Sequence, residues 1–254
     1  MRRAFDVAPE KNEPARLHAP EYFRAGGVEF FAGNAAEYQL TERTVVHNLR
    51  NLDVDLGGAN EKAVRMSKIG IYGGTFDPIH HGHLILGRQA CEELGLDQLI
   101  FVPAALSPFK KPPRASAEAR LSMLQAAIEG QDGFLADDCE LKRPAPSYSI
   151  DTALQIRELE ANAELFWLIG ADNVRDLNKW HRVDELKQLV QFVVLDRGCS
   201  DLTQQIYPVV QRNIDISATD IRNRVASGRS IRYLVPKAVE EIIRRENLYR
   251  ESAT

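Results

Sequence analysis

The chain has 254 residues, a formal net charge of −4, 44% hydrophobic residues and 27% charged residues. That is enough apolar material for one large domain or one domain with an appendage, and the slight acidic excess excludes a general attraction to nucleic acid or to an anionic membrane. A site for a phosphorylated ligand must then be a local cluster of cations and backbone donors.

Cys91, Cys139 and Cys199 form an odd set without close pairing, which argues against a disulfide framework or a zinc site and for reduced thiols in a cytoplasmic protein. No apolar run follows the opening Met-Arg-Arg, so a secretory signal is not expected. Nor does any stretch approach the roughly 18 apolar residues of a membrane span.

Residues 1–65 mix charges, Gly, Asn and apolar fragments such as Val28-Glu29-Phe30-Phe31. They show no long helical or strand period, so they read as a poorly ordered extension. The extension is either a non-catalytic appendage or sequence upstream of a true start at Met66. The domain proper is expected over 66–254.

From Lys68 the rhythm changes. Lys68–Gly73 predicts a short buried strand ending in glycines, and Leu84, Leu86, Ala90 and Leu94 mark a helix closed by Gly95. Leu99–Val102 is a second strand, stopped by Pro103. Ala104–Ala115 carries three prolines and three cations, so it is a loop. Ser116 should cap a helix running to Gly130, with Glu118 in its first turn. Helices over Ile150–Ala161 and Asp184–Leu189 flank strands at Leu165–Gly170 and Phe192–Leu195. Strands alternating with helices predict an α/β fold, a doubly wound, Rossmann-like, mostly parallel sheet with helices on both faces. Ligands of such a fold sit at the carboxyl ends of the strands.

The chemistry-bearing residues fall at such ends. Gly73-Gly74 closes the first strand, and the helix starting near Gly82 should aim N–H groups and its positive end at the same space. This is neither the dinucleotide fingerprint nor a P-loop. Three of the six histidines occupy positions 80 to 83. His80 and His83 have a plausible metal spacing, but no Cys or acidic partner stands at zinc-site spacing nearby. Imidazole donors for charge on a triphosphate are the better reading, with no protein-held metal. Further on, Ser217 and Thr219 suit a helix start. Arg222, one turn in, is either an exposed helix arginine or a clamp on two phosphate oxygens.

Gly73-Gly74-Thr75-Phe76-Asp77-Pro78-Ile79-His80-His81-Gly82-His83 resembles the signature of the nucleotidylyltransferase superfamily. First-class aminoacyl-tRNA synthetases share a version of its H-x-G-H box. Their Lys-Met-Ser-Lys-Ser loop follows that box, whereas Met66-Ser67-Lys68 precedes it here. Ile216-Ser217-Ala218-Thr219-Asp220-Ile221-Arg222 is similar to a second element of the superfamily. Glu140-Leu141-Lys142-Arg143 with Pro146-Ser147-Tyr148-Ser149 and Thr152, Ile169-Gly170-Ala171-Asp172 with Leu177 and Trp180, and the tail from Leu234-Val235-Pro236 to Asn247-Leu248-Tyr249-Arg250 resemble bacterial nicotinate-nucleotide adenylyltransferases.

That resemblance implies adenylyl transfer from ATP to nicotinate mononucleotide, giving deamido-NAD and pyrophosphate. His80, His83, Arg222 and Lys110 would stabilise charge. Gly73, Gly74, Thr75, Phe76, Gly170, Asp172, Ser217 and Thr219 would bind ATP. Tyr148, Ser149, Trp180 and His181 would bind the mononucleotide. Trp180 either stacks on the pyridine ring or covers the core. A Mg²⁺ ion held mainly by substrate phosphates is expected. One departure is Pro108-Phe109-Lys110, where the family often has Pro-His-Lys. Nicotinamide mononucleotide as acceptor, and a non-catalytic nucleotide-binding regulator on the same fold, are the alternatives. Self-association is left open.

Overall fold

The computed structural model describes the backbone at 23–25 and 28–30 and the chain at 65–105, 112–144, 146–198 and 206–250. Two compact units divide it, Met1–Glu61 and Lys62–Thr254. In the first, β1 (Phe23–Ala25) and β2 (Val28–Phe30) pair antiparallel, with Phe23 opposite Phe30. Strands of three residues are too short for a period-2 signal. Other aspects of the expected extension lie outside the described residues.

The second unit is built on a six-stranded sheet in the order β5-β4-β3-β6-β7-β8, with every pair parallel. The strands are β3 (Lys68–Gly74), β4 (Gln98–Pro103), β5 (Phe134–Ala136), β6 (Glu164–Gly170), β7 (Gln191–Asp196) and β8 (Val209–Gln211). Starting at β3, the chain builds outward to β5 on one side. It then returns to the centre at β6 and builds outward to β8 on the other. This is the doubly wound arrangement, with its switch point between β3 and β6.

A parallel sheet covered on both faces needs apolar residues pointing both ways, and the strands supply them. Ile69 and Ile71 of β3, Ile100 and Val102 of β4, Trp167 and Ile169 of β6, and Phe192 and Val194 of β7 enter one core. Tyr72, Leu99, Phe101, Phe166, Leu168, Val193 and Leu195, from the alternate positions, enter the other. The first core is closed by α4 (Ser149–Leu159) and α6 (Val183–Leu189). Against the second pack α1 (His81–Leu94), α2 (Ala117–Ile128), α7 (Ala218–Ala226) and α8 (Lys237–Arg245). Two single-turn helices, α3 (Cys139–Lys142) and α5 (Ala171–Val174), complete the unit.

Local signals account for most boundaries. Gly95 ends α1 with φ 64°, and its N–H reaches the Cys91 carbonyl. Ser116 caps α2 by accepting from Ala119 N at 3.2 Å. The expected four strands and the helices between them are present. Two three-residue edge strands, β5 and β8, are additional: Phe134-Leu135-Ala136 and Val209-Val210-Gln211 are too short to announce themselves, and pairing with a neighbour makes them strands. The sheet is wholly parallel among the described strands. No described helix is long and apolar enough to cross a membrane.

Candidate active site

The carboxyl ends of β3, β6 and β7 meet at the switch point. β3 delivers the loop Thr75–His80 into α1. His80 is the N-cap of α1, with an extended backbone, and it is only 1% exposed. The His80 and His83 rings stack, centroids 3.8 Å apart and planes 25° apart. Gly82 makes room for this: a Cβ there would sit 3.0 Å from the His80 ring. The backbone N–H of His80 donates to His83 Nδ1 at 3.3 Å. That nitrogen therefore carries no proton, which leaves the proton of the neutral ring on Nε2. Among the described residues His80 Nδ1 is buried without a hydrogen-bond partner.

Both imidazoles are held neutral. Burial, then the Arg197 guanidinium and the adjacent His81, push His80 down to about 3 from an ordinary 6.5. For His83, burial acts first, then His80 and Arg197, and its pKa lies well below the usual range. The pair thus lines this edge with neutral imidazoles instead of imidazolium charge. The helix end contributes less than the sequence suggests. His81 N–H is taken by the Leu234 carbonyl at 3.0 Å, so one of its free donors is spent on the fold.

The glycines and Phe76 have a packing role. A Cβ on Gly74 would meet the Phe76 ring at 2.8 Å. That ring is buried, in edge contact with Tyr72 and with His83 at a centroid distance of 5.2 Å. Burying a phenyl ring of this kind is worth about 2–3 kcal/mol, and here it forms the floor under His83. The Thr75 carbonyl accepts from Arg120 Nη1 at 2.8 Å.

Ser217 caps α7, accepting from Asp220 N at 3.1 Å. Thr219 lies inside the helix, and its hydroxyl accepts from Arg222 Nη2 at 3.1 Å. Arg222 Nη1 donates to the Asp77 carbonyl at 2.6 Å, which ties α7 to the histidine loop. The second motif is thereby brought to the first across 145 residues. Lys110 lies outside the described residues.

On the face of the first core, α4 begins at Ser149 with Tyr148 as its N-cap. A buried network sets this start. Glu140 Oε1 accepts from Thr152 Oγ1 at 3.1 Å, and Arg143 Nη1 donates to Ser147 Oγ at 2.7 Å and Thr152 Oγ1 at 3.2 Å. Burial pushes the Glu140 carboxyl up. Tyr148 and His181 stack on each other, centroids 4.3 Å apart. Trp180 is half-buried, with edge contacts to Trp167 and Phe192 at centroid distances of 6.4 Å. It therefore covers the core beneath it while keeping part of its surface accessible. At the end of β6, Gly170 is the N-cap of α5, and the Asp172 carboxylate folds back over it: a Gly170 Cβ would lie 2.7 Å from Asp172 Oδ1.

Sequence reasoning passed over Arg197, which stands just past the end of β7, donates to the Ile216 carbonyl at 2.8 Å, and sets the field at both histidines. Its place after an apolar strand, at the edge where ligands of this fold sit, was the available signal. Among the described residues no group of three or more His, Cys, Asp or Glu could hold a metal ion.

Comparison with known proteins agrees with this geometry. The cytidylyltransferase-like family profile matches residues 71–224. The chain is 40% identical over 200 residues to a Rubrobacter xylanophilus protein named "Probable nicotinate-nucleotide adenylyltransferase", covering 73% of this chain and 94% of that one. A Thermus thermophilus protein of the same name is 43% identical over 186 residues, covering 72% of this chain and all (100%) of that one. Among solved structures, the Plasmodium falciparum nicotinic acid mononucleotide adenylyltransferase complexed with NaAD superposes with a TM-score of 0.61 at 20% identity, covering 72% of this chain and 97% of that one. The last shares the fold alone. From the profile and the two bacterial relatives, the chain belongs to the nicotinate-nucleotide adenylyltransferase family within the cytidylyltransferase-like group.

Proposed function

We propose that the protein transfers the adenylyl group of ATP to nicotinate mononucleotide, forming deamido-NAD and pyrophosphate in NAD biosynthesis. The observation that carries this reading is the buried, neutral His80–His83 pair at the switch point, with Arg222 fastened to the same loop.

The acceptor's phosphate oxygen attacks the α-phosphorus as the bond to the β-phosphate oxygen breaks. That phosphate is already ionised near neutral pH, so no side chain need remove a proton. Rate enhancement then rests on positioning and on stabilising charge in the transition state. His80 and His83 donate neutral hydrogen bonds to the reacting phosphates, which costs no proton transfer. Ser217, Thr219 and Arg222 at the start of α7, with Lys110 of the proline-rich loop, take up charge on the leaving pyrophosphate, and Arg197 adds positive field. Gly73, Gly74, Thr75 and Phe76 shape the nucleotide side, and Gly170 and Asp172 face the ribose. Tyr148, Ser149, Trp180 and His181 receive the mononucleotide, the Tyr148–His181 stack opening to admit the pyridine ring. Backbone N–H groups there favour nicotinate over nicotinamide because only the acid is an anion.

Asp77 does not fit as a metal ligand, since both its carboxylate oxygens already accept hydrogen bonds. A Mg²⁺ ion, which neutralises phosphate charge when bound, would be carried by the triphosphate and water. Residues 66–254 constitute the catalytic domain in this reading. Its setting is the cytoplasm, which suits Cys91 and Cys139, free thiols that burial pushes up to about 11 and about 12.

The test offers ATP with either nicotinate or nicotinamide mononucleotide and follows pyrophosphate release. Strong preference for the acid is expected. A preference for the amide would overturn the acceptor assignment, and no turnover of either would overturn the enzyme reading.

A further inference from the structure

One residue of the histidine loop does no work in the chemistry above, yet it is tied to the site's framework from several directions. The Asp77 carboxylate is buried, 5% exposed. Its Oδ2 accepts from Arg114 N at 2.8 Å, and its Oδ1 accepts from Ala115 N at 3.1 Å and from Tyr249 Oη at 2.7 Å. Arg222 Nη1 lies 3.9 Å from Oδ2 while donating to the Asp77 carbonyl. Four segments, Asp77's own loop included, therefore meet at one residue. They are the histidine loop, the chain leaving the proline-rich loop, the phosphate-facing helix α7 and the tail after α8.

Beneath it, Arg120 Nη1 donates to the carbonyls of Thr75 and Ala104, at 2.8 and 2.7 Å, fastening the loops after β3 and β4 together. Arg120 Nη1 is spent on two backbone carbonyls and the Tyr249 hydroxyl on Asp77, so both serve the framework. A buried carboxylate short of donors costs several kcal/mol. Its donors therefore fix where the loop can sit. Tyr249 is the one supplied from the far end of the chain, 172 residues away in sequence. Burial and the neighbouring Asp77 push its phenol up, so it remains a proton donor throughout the working range.

We infer that Tyr249 and Asp77 are positioning residues for adenylyl transfer, forming a latch by which the C-terminal tail sets the alignment of the His80–His83 loop, the 112–115 segment and Arg222. The latch rests on the proposed reaction for its effect on rate, and on geometry alone for its existence.

Tyr249→Phe in the full chain keeps the ring and its packing and removes only the hydroxyl. We expect kcat to fall about ten-fold, with KM for ATP and for the mononucleotide within two-fold, measured well below the melting temperature. Hydrogen exchange at the Arg114 and Ala115 amides should be slow in the wild type and accelerate in the variant. Asp77→Asn should lower kcat further, and the double variant should be no worse than Asp77→Asn alone. An unchanged kcat in Tyr249→Phe overturns the latch, whatever happens to the melting temperature. So does a fall in kcat without faster exchange at Arg114 and Ala115, because the effect would then bypass Asp77. If Tyr249→Phe does not fold, rapid exchange at both amides in the wild type still refutes it. Exchange needs no turnover, so it separates failure of the latch from failure of the acceptor assignment.

Discussion

The two sides of the site, which the proposed reaction assigns to the phosphates and to the acceptor, are built differently. On the phosphate side, His80 and Asp77 are nearly inaccessible, their loop is pinned by Arg120 and Arg222, and burial holds the imidazoles neutral. On the acceptor side, Tyr148 and Trp180 are half-buried, His181 is exposed, and two of the three rings satisfy each other by stacking. In the proposed reaction the contrast matches the work given to each side. Stabilising charge in a transition state requires donors that do not reorganise, whereas admitting a ring requires surfaces that can part.

The sharpest way to break this contrast is at His83. His83→Ala should lower single-turnover rate by about 10²–10³, the usual cost of one preorganised donor, while ATP affinity in a calorimetric titration changes only a few-fold. Equal losses in both would make the histidine a ground-state ligand. A smaller effect belongs to the acceptor side. Trp180→Leu should raise KM for nicotinate mononucleotide about ten-fold, in line with the roughly 0.5–1.5 kcal/mol of an aromatic contact. KM for ATP should hold. If only the melting temperature moves, Trp180 serves the core beneath it and not the acceptor.

The buried imidazole also has a thermodynamic signature. An unfolded His80 takes up a proton below about 6.5, and the folded one only near 3. Its contribution to stability is therefore complete above pH 6.5 and is lost progressively as pH falls towards 3. The slope is at most about 1.4 kcal/mol per pH unit. Urea midpoints between pH 7 and 4.5 should fall more steeply for the wild type than for His80→Asn, and parallel lines would contradict the burial argument. The smallest effect concerns the extension: a chain starting at Met66 should keep kcat within two-fold. A soluble but inactive shortened chain would show that residues before it take part.

Much of this was legible beforehand because the signals are local. Ser116, Gly95 and Ser217 mark helix ends through bonds to near neighbours, and the alternating apolar strands announce a sheet covered on both faces. Arg120 is the instructive miss. It sits among Ala119, Met123, Leu124, Ala127 and Ile128 on the buried face of α2, and a lone cation in such a stripe signals a buried partner without naming it. Its partners are backbone carbonyls 16 and 45 residues away. The edge strands escaped for another reason: three residues acquire strand geometry only from the neighbour they pair with.

By itself, then, the sequence determined the doubly wound scaffold, the histidine loop at a strand end, and the helix start that carries Arg222. All of these depend on contacts within a few residues or on hydrophobic period. Only the tertiary structure decided that the histidines are neutral, because their pKa depends on burial and on Arg197, which follows a strand far along the chain. It alone decided that Gly74 serves Phe76 packing and that Arg222 grips the loop. It alone placed Tyr249 against Asp77, because a bond across 172 residues leaves no trace in local pattern.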